Sequence, residues 1–376
     1  MDRIYLDHAA TTPVHPDVAA AMTPWMAAEF GNPSSLHAEG RRAREAVDEA
    51  RLALSERLGC LFAEVIFTSS GTEAANLAIL GAALGNPEPR RNRVLMSAAE
   101  HHCVLHTAPI LERLGYAVER VRVDRYARLD LEDLAQKLGD DVLLVCAMHA
   151  NNEVGTLQPI LEVSDLVKKT GALLFCDAVQ TLAAVKGWTV DTLGVDLLAA
   201  SAHKVQGPKG VGALYIRAGT PVKPWTVGGG QEREMRAGTE NVAAIVGFAK
   251  ALSQPLMSPQ REARDSFLAA LEAGGAVRTV PETVPCLDGH AHVRFPGASA
   301  ESMLILLDRM GVSASSGAAC SSGSLEPSHV LLACGYSEAE AKEGLRFTFG
   351  EGNTVEEGLV AAERVLAALK RVATHP

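Results

Sequence analysis

The sequence predicts an α/β protein built on a largely parallel sheet, and three observations carry that prediction. Short, nearly uninterrupted apolar runs recur between Ile4 and Ile216, as in strands buried on both faces. Stretches with helical spacing separate them, so strand and helix alternate. Polar residues gather where the runs stop: Asp177 after Leu173–Cys176, and Ser201, His203 and Lys204 after Val195–Ala200. In open parallel sheets that rim is where ligands sit. A chain of 376 residues exceeds one ordinary core, so two domains are expected.

Taken in order, Ile4 to Leu6 is a short strand followed by the turn-rich D-H-A-A-T-T-P. Pro16 suits the first position of a helix running to about Phe30, which G-N-P-S-S breaks. His37 to Leu58 is an amphipathic helix with a solvated Arg/Glu face, ended by Gly59. Glu64 to Thr68 is a strand leading into S-S-G-T-E-A-A-N, with Gly71 at a tight turn, Thr72 as cap and a helix from Glu73. A strand, small residues and a helix start make an anion site. Without a P-loop lysine, a single phosphate fits better than a nucleoside triphosphate.

Arg93–Ser97, Val118–Val123 and Val142–Met148 read as further strands. After the first comes A-E-H-H-C-V-L-H, where His101 can stack on a flat ring. Metal binding by His101, His102, Cys103 and His106 is not expected, because adjacent side chains on a helix point apart. After the third comes H-A-N-N-E-V-G-T, whose Asn amides either reach a ring hydroxyl or serve the turn. A helix from Pro159 to Gly171 leads to Asp177 and Lys204. The Gly- and charge-rich loop 226–242 is long enough to suggest function or an interface. The helix Val242–Leu252 and the linker 253–259 mark a domain boundary. Beyond it we read helix 260–273, strand 292–295, helix 300–310, helices near 328–342, strand 344–349 and a last helix 354–372.

Composition narrows the function. A net charge of −10 and a pI near 5.7 speak against nucleic acid, which needs a basic face. No apolar run approaches the roughly 18 residues of a membrane span, and M-D-R-I-Y-L-D lacks a signal peptide's apolar core. Seven cysteines without a Cys-x-x-Cys suit a reducing compartment, so a cytoplasmic protein is expected. A lysine and an aspartate on one rim suit pyridoxal 5'-phosphate (PLP), with the lysine as Schiff base and the carboxylate keeping the pyridine nitrogen protonated. Of the twelve residues 313–324, eleven are Ser, Ala or Gly and the twelfth is Cys320. Such a segment should be mobile and exposed, which makes Cys320 a nucleophile rather than core filling. The other six cysteines read as structural.

With these residues in view the chain resembles the cysteine desulfurases of the class V aminotransferase group. The likeness runs through Y-L-D-H-A-A-T-T-P, F-T-S-S-G-T-E-A-A-N, A-E-H-H-C-V-L, M-H-A-N-N-E-V-G, D-A-V-Q, S-A-H-K-V-Q-G-P-K-G-V-G, R-A-G-T-E-N, S-S-G-A-A-C-S-S-G-S and L-R-F-T-F-G. The long loop around Cys320 is similar to the nitrogen-fixation and iron–sulfur-cluster type (group I). The resemblance implies fold type I, with a mainly parallel seven-stranded sheet in a large domain (16–255) and a smaller α/β domain (1–15 with 256–376). It implies that Lys204 holds PLP as a Schiff base, Asp177 pairs with the pyridinium nitrogen, and His101 stacks on the ring and shuttles protons. Gln180 and Asn152 would contact the ring oxygen, Asn152 also reaching substrate. Gly71, Thr72, Ser201 and His203 would hold the phosphate, with Thr239 supplied by the neighbouring subunit of a homodimer. Arg346 would bind the carboxylate of L-cysteine, and Cys320 would take the sulfur as a persulfide for an acceptor or scaffold protein. The chain ends at Pro376 without the longer tail used to dock a scaffold, so scaffold docking is the weaker expectation. The rivals are another class V enzyme, such as a selenocysteine lyase or aminotransferase, and a non-enzymatic platform, which would have lost Lys204, Asp177 or Arg346.

Overall fold

The computed structural model describes residues 3–254, 260–316 and 326–374. Strands β1 (Ile4–Tyr5), β2 (Val65–Thr68), β3 (Arg93–Ser97), β4 (Ala117–Val121), β5 (Val142–Cys146), β6 (Leu173–Asp177), β7 (Leu197–Ser201) and β8 (Gly212–Ile216) are followed by β9 (Val277–Arg278), β10 (His290–Arg294), β11 (Val312–Ser313) and β12 (Gly344–Thr348). Seven of them form one sheet in the order β2-β8-β7-β6-β5-β3-β4. Only β8 runs against the rest, being antiparallel to both β7 and β2. This is the mainly parallel α/β sheet that the apolar runs predict.

Both faces of the sheet are covered, as its apolar strands require. On one face lie α1 (Pro16–Ala27), α2 (Ala38–Leu58) and the helix Val242–Leu252. There Val47, Leu54 and Phe248 pack with Phe67, Val145 and Leu198. On the other, α3 (Gly71–Gly85) sets Leu77 and Leu80 against Ile66, Met96, Phe175 and Leu214. A second apolar cluster joins Phe267 and Leu271 of helix Arg261–Ala273, Val365 of helix Val355–Thr374, and Val293, Leu345 and Phe347 of the sheet β12-β10-β9. Ile4 and Leu6 belong to this second cluster, and β1 pairs with β11. Among the described residues no helix is long and apolar enough to cross a membrane.

Several boundaries differ from the sequence reading for local reasons. The first helix ends at Ala27, within a turn of Pro24. The α3 cap is Ser70, not Thr72: its hydroxyl accepts the Glu73 amide at 3.1 Å, so the helix starts at Gly71. The strand expected at 292–295 is 290–294. Ser313–Ser315, expected to be mobile and exposed, is anchored. Ser313 pairs with Tyr5 in β11, and Ser315 is buried and bonded through its backbone to Arg346. Cys320 lies outside the described residues.

Candidate active site

The carboxyl ends of β2, β3, β5, β6 and β7 open on one cavity of about 350 Å³. Ten residues singled out in the sequence line it: Gly71, Thr72, His101, Asn152, Asp177, Gln180, Ser201, His203, Lys204 and Arg346. Thr239 does not line it and lies exposed on the 226–241 loop. Sequence reasoning missed Ala9, Ala10, Ser70, Cys103, Met148, Ala150 and Val179, which complete the wall. The D-H-A-A-T-T-P segment was legible only as a turn, yet it forms one side of the site.

Each polar group is held by its element. Lys204 Nζ donates to the carbonyls of Ala9 and Ala10, the latter at 2.7 Å, and Gln180 Nε2 donates to Ala9 O at 3.1 Å. Asp177, at the end of β6, accepts the Val179 amide on Oδ1 at 3.0 Å, and its Oδ2 lies 3.9 Å from Cys103 Sγ. Burial raises its carboxyl above the ordinary value, opposed by the Val179 amide and the Lys204 charge. Among the described residues it has no ion pair within 4.0 Å. Behind it Glu100 is fully buried and pushed up to about 8, first by burial and then by Asp177.

His101 caps the short helix α4 (His102–Leu105) by accepting the Cys103 amide on Nδ1 at 3.1 Å. Burial lowers it to about 4, so it is neutral at pH 7. With Nδ1 accepting, the proton sits on Nε2. His102 turns away and stacks between His106 (4.6 Å) and His329 (4.4 Å). Among the described residues no group of His, Cys, Asp and Glu is arranged to hold a metal ion. The two asparagines divide the work their sequence left open. Asn151 makes the turn, its Oδ1 accepting the Glu153 and Val154 amides, while Asn152 lines the cavity.

Arg346 reaches the rim from β12. It donates to Asn152 O at 2.8 Å and to Asp7 Oδ1 at 2.7 Å, and its Nε is buried with no hydrogen-bond partner among the described residues. Asp7 is a further residue the sequence did not point to, since 339 positions separate it from Arg346.

These residues fit pyridoxal phosphate. At the start of α3 the Gly71 and Thr72 amides have no intrahelical acceptor. A Cβ on Gly71 would meet Val179 Cγ2 at 2.8 Å and Ser201 Cβ at 3.4 Å, so only glycine leaves that cradle open. Asp177 offers a buried anion that needs a cation, and Lys204 offers an amine on the same wall.

Comparison with known proteins agrees with this chemistry. The model of the aminotransferase class-V family matches residues 4–358. The chain is similar to the cysteine desulfurase IscS of Dictyoglomus turgidum, 42% identical over 99% of this chain and 96% of that protein. Among solved structures it is similar to a NifS-like protein, with 33% identity, a TM-score of 0.90 and coverage of 98% of this chain and 100% of that one. It is also similar to SspA solved in complex with cysteine, with 31% identity, a TM-score of 0.82 and coverage of 92% and 98%.

Proposed function

The chain belongs to the class-V aminotransferase family, and from that premise we propose that it is a cysteine desulfurase converting L-cysteine to L-alanine. The observation that carries the reading is the meeting of Lys204, Asp177, His101 and Arg346 around one cavity at the strand ends. Lys204 and Asp177 would hold pyridoxal phosphate by its aldehyde and ring nitrogen, and the α3 start, Ser201 and His203 would take its phosphate. Bound there, the cofactor supplies an electron sink that makes loss of a substrate Cα proton tolerable.

The chain's own groups do the rest. Arg346 binds the substrate carboxylate through its planar fork, and its place in the cavity wall supports that role. Lys204 Nζ takes the Cα proton, and His101 gives or takes one at Nε2. The Cys320 thiol then takes the sulfur. L-Cysteine and the protein thiol become L-alanine and a protein persulfide, so sulfur is conserved and the thiol proton ends on alanine. Cys320 lies five residues beyond Ser315, whose backbone bonds to Arg346. At about 3.5 Å per residue the tether spans at most ~17 Å, so the reading requires the reacting sulfur to lie within that distance of Ser315.

The persulfide serves a sulfur-acceptor protein. The division at 16–255 against 1–15 with 256–376 is supported by the separate cores, Ile4 and Leu6 packing in the second. A homodimer would bring in Thr239, which is exposed and does not line the cavity of its own chain. Arg44 pairs with Glu240 and also donates to Pro33 O, which brings the segment carrying the exposed Phe30 and Leu36 next to the 226–241 loop. A cytoplasmic setting is supported by the six described cysteines, all free thiols.

Asp177→Asn tests the reading. An opposite charge at contact shifts a pKa by about 1–3 units, so the variant should keep the cofactor's absorbance yet lose roughly 10- to 1000-fold in turnover. Undiminished alanine formation would refute the assignment.

A further inference from the structure

Cys103 has no part in the chemistry above, and its sequence context suggested only a structural thiol. The fold puts it elsewhere. It lines the active cavity, and its Sγ faces Asp177 Oδ2 at 3.9 Å. Oδ1 already holds the Val179 amide at 3.0 Å, so among the described residues the thiol is the hydrogen-bond donor to the other oxygen. The backbone around it is tied on both sides. The Cys103 amide donates to His101 Nδ1, and the Cys103 carbonyl accepts Asn76 Nδ2 at 3.0 Å. Asn76 belongs to α3 and also donates to Thr72 O at 3.0 Å. Residue 103 therefore sits between the phosphate end, the ring-stacking imidazole and the pyridine carboxylate.

We propose that Cys103 is a positioning residue whose S–H donates to Asp177 Oδ2 and keeps that carboxylate aimed at the cofactor's ring nitrogen. A thiol is a weak donor, but bonds to a charged acceptor exceed neutral ones. Here the acceptor is a buried anion that burial itself disfavours, so a donor that stabilises the charged form matters more than on the surface. The competing account is that Cys103 only fills space, since it also packs against the apolar cluster under α3. The two differ in what serine should do, because serine keeps a donor and alanine does not.

The inference rests on the cofactor assignment, and the test separates the two. Pyridoxal phosphate is titrated into wild type, Cys103→Ala and Cys103→Ser. The dissociation constant and the pH dependence of the cofactor's absorbance band are read for each. Cys103→Ala keeps the backbone bond to His101 and should weaken cofactor binding by about three- to tenfold, with a displaced pH midpoint. Cys103→Ser should return both to within about twofold of wild type. If the alanine variant does not fold, Cys103→Val fills the space without a donor and takes its place. Serine behaving like alanine, or alanine like wild type, overturns the role of the thiol. A wild type that binds no pyridoxal phosphate overturns the function beneath it.

Discussion

Burial keeps His101, His149 and His203 at about 4, and His290 and His292 at about 3. In the unfolded chain a histidine titrates near 6.5. Between those values the unfolded state binds more protons than the folded one, so stability rises with pH. These five contribute fully above about pH 6.5; the first three lose their contribution as pH falls through about 4 and the last two as it falls through about 3. Glu100 works the other way. Its folded value near 8 lies above the unfolded one, so its contribution is complete below about pH 4.5 and is lost as pH rises through 8. We expect the cofactor-free protein to have its highest denaturant midpoint near neutrality. Glu100→Gln should flatten the decline between about pH 6.5 and 8 and steepen the rise between about pH 4.5 and 6.5. Equal slopes between about pH 6.5 and 8 in the two proteins would contradict the buried neutral acid.

At this scale the sequence carried much of the site. Asp177 and Lys204 were visible because each polar group follows an apolar run. Asp7 and Cys103 were not, because their partners Arg346 and Asp177 are neighbours only through the fold.

The 226–241 loop reads in sequence as a long glycine-rich excursion, yet it is pinned at three places. Arg51 of α2 holds Glu232 through two bonds, at 2.7 and 2.9 Å, with both side chains buried. Glu232 Oε2 also accepts the Phe67 amide at 2.9 Å. Arg236 pairs with Glu73 at 2.9 Å, and Arg44 with Glu240 at 2.7 Å. Arg233 and Glu234 meet these anchors in the left-handed region, with φ of 52° and 63°. Removing one partner of a buried pair strands the other charge. Glu232→Gln should therefore cost about 3–5 kcal/mol of stability. Glu73→Gln, at a more exposed pair, should cost about 1 kcal/mol or less. Denaturant unfolding checks this, and equal losses would contradict it.

Long periodic elements such as α2 and the helix Val355–Thr374 were legible from their spacing. Helices Ala108–Arg113 and Leu131–Lys137 were not, because one or two turns leave no period to read. The two-residue pairing of β1 with β11 depends wholly on distant chain.

The cavity belongs to the molecule as a whole. Lys204, Asp177 and His101 come from the large sheet, whereas Arg346 comes from β12 and Asp7 from the segment after β1. The Ser315–Arg346 backbone pairing also ties the segment leading to Cys320 to the arginine assigned to substrate. Alternation of strand and helix predicted the sheet. The approach of the two cores could not be read from it, because no local pattern encodes which rims meet.

The most direct measurement supplies L-cysteine to the cofactor-loaded protein without reductant, then quantifies alanine and weighs every cysteine-containing peptide by mass spectrometry. The account predicts one alanine per subunit with one added sulfur on the Cys320 peptide, and neither product from Lys204→Ala. Alanine accompanied by sulfur on another cysteine, or by none on the protein, would contradict it.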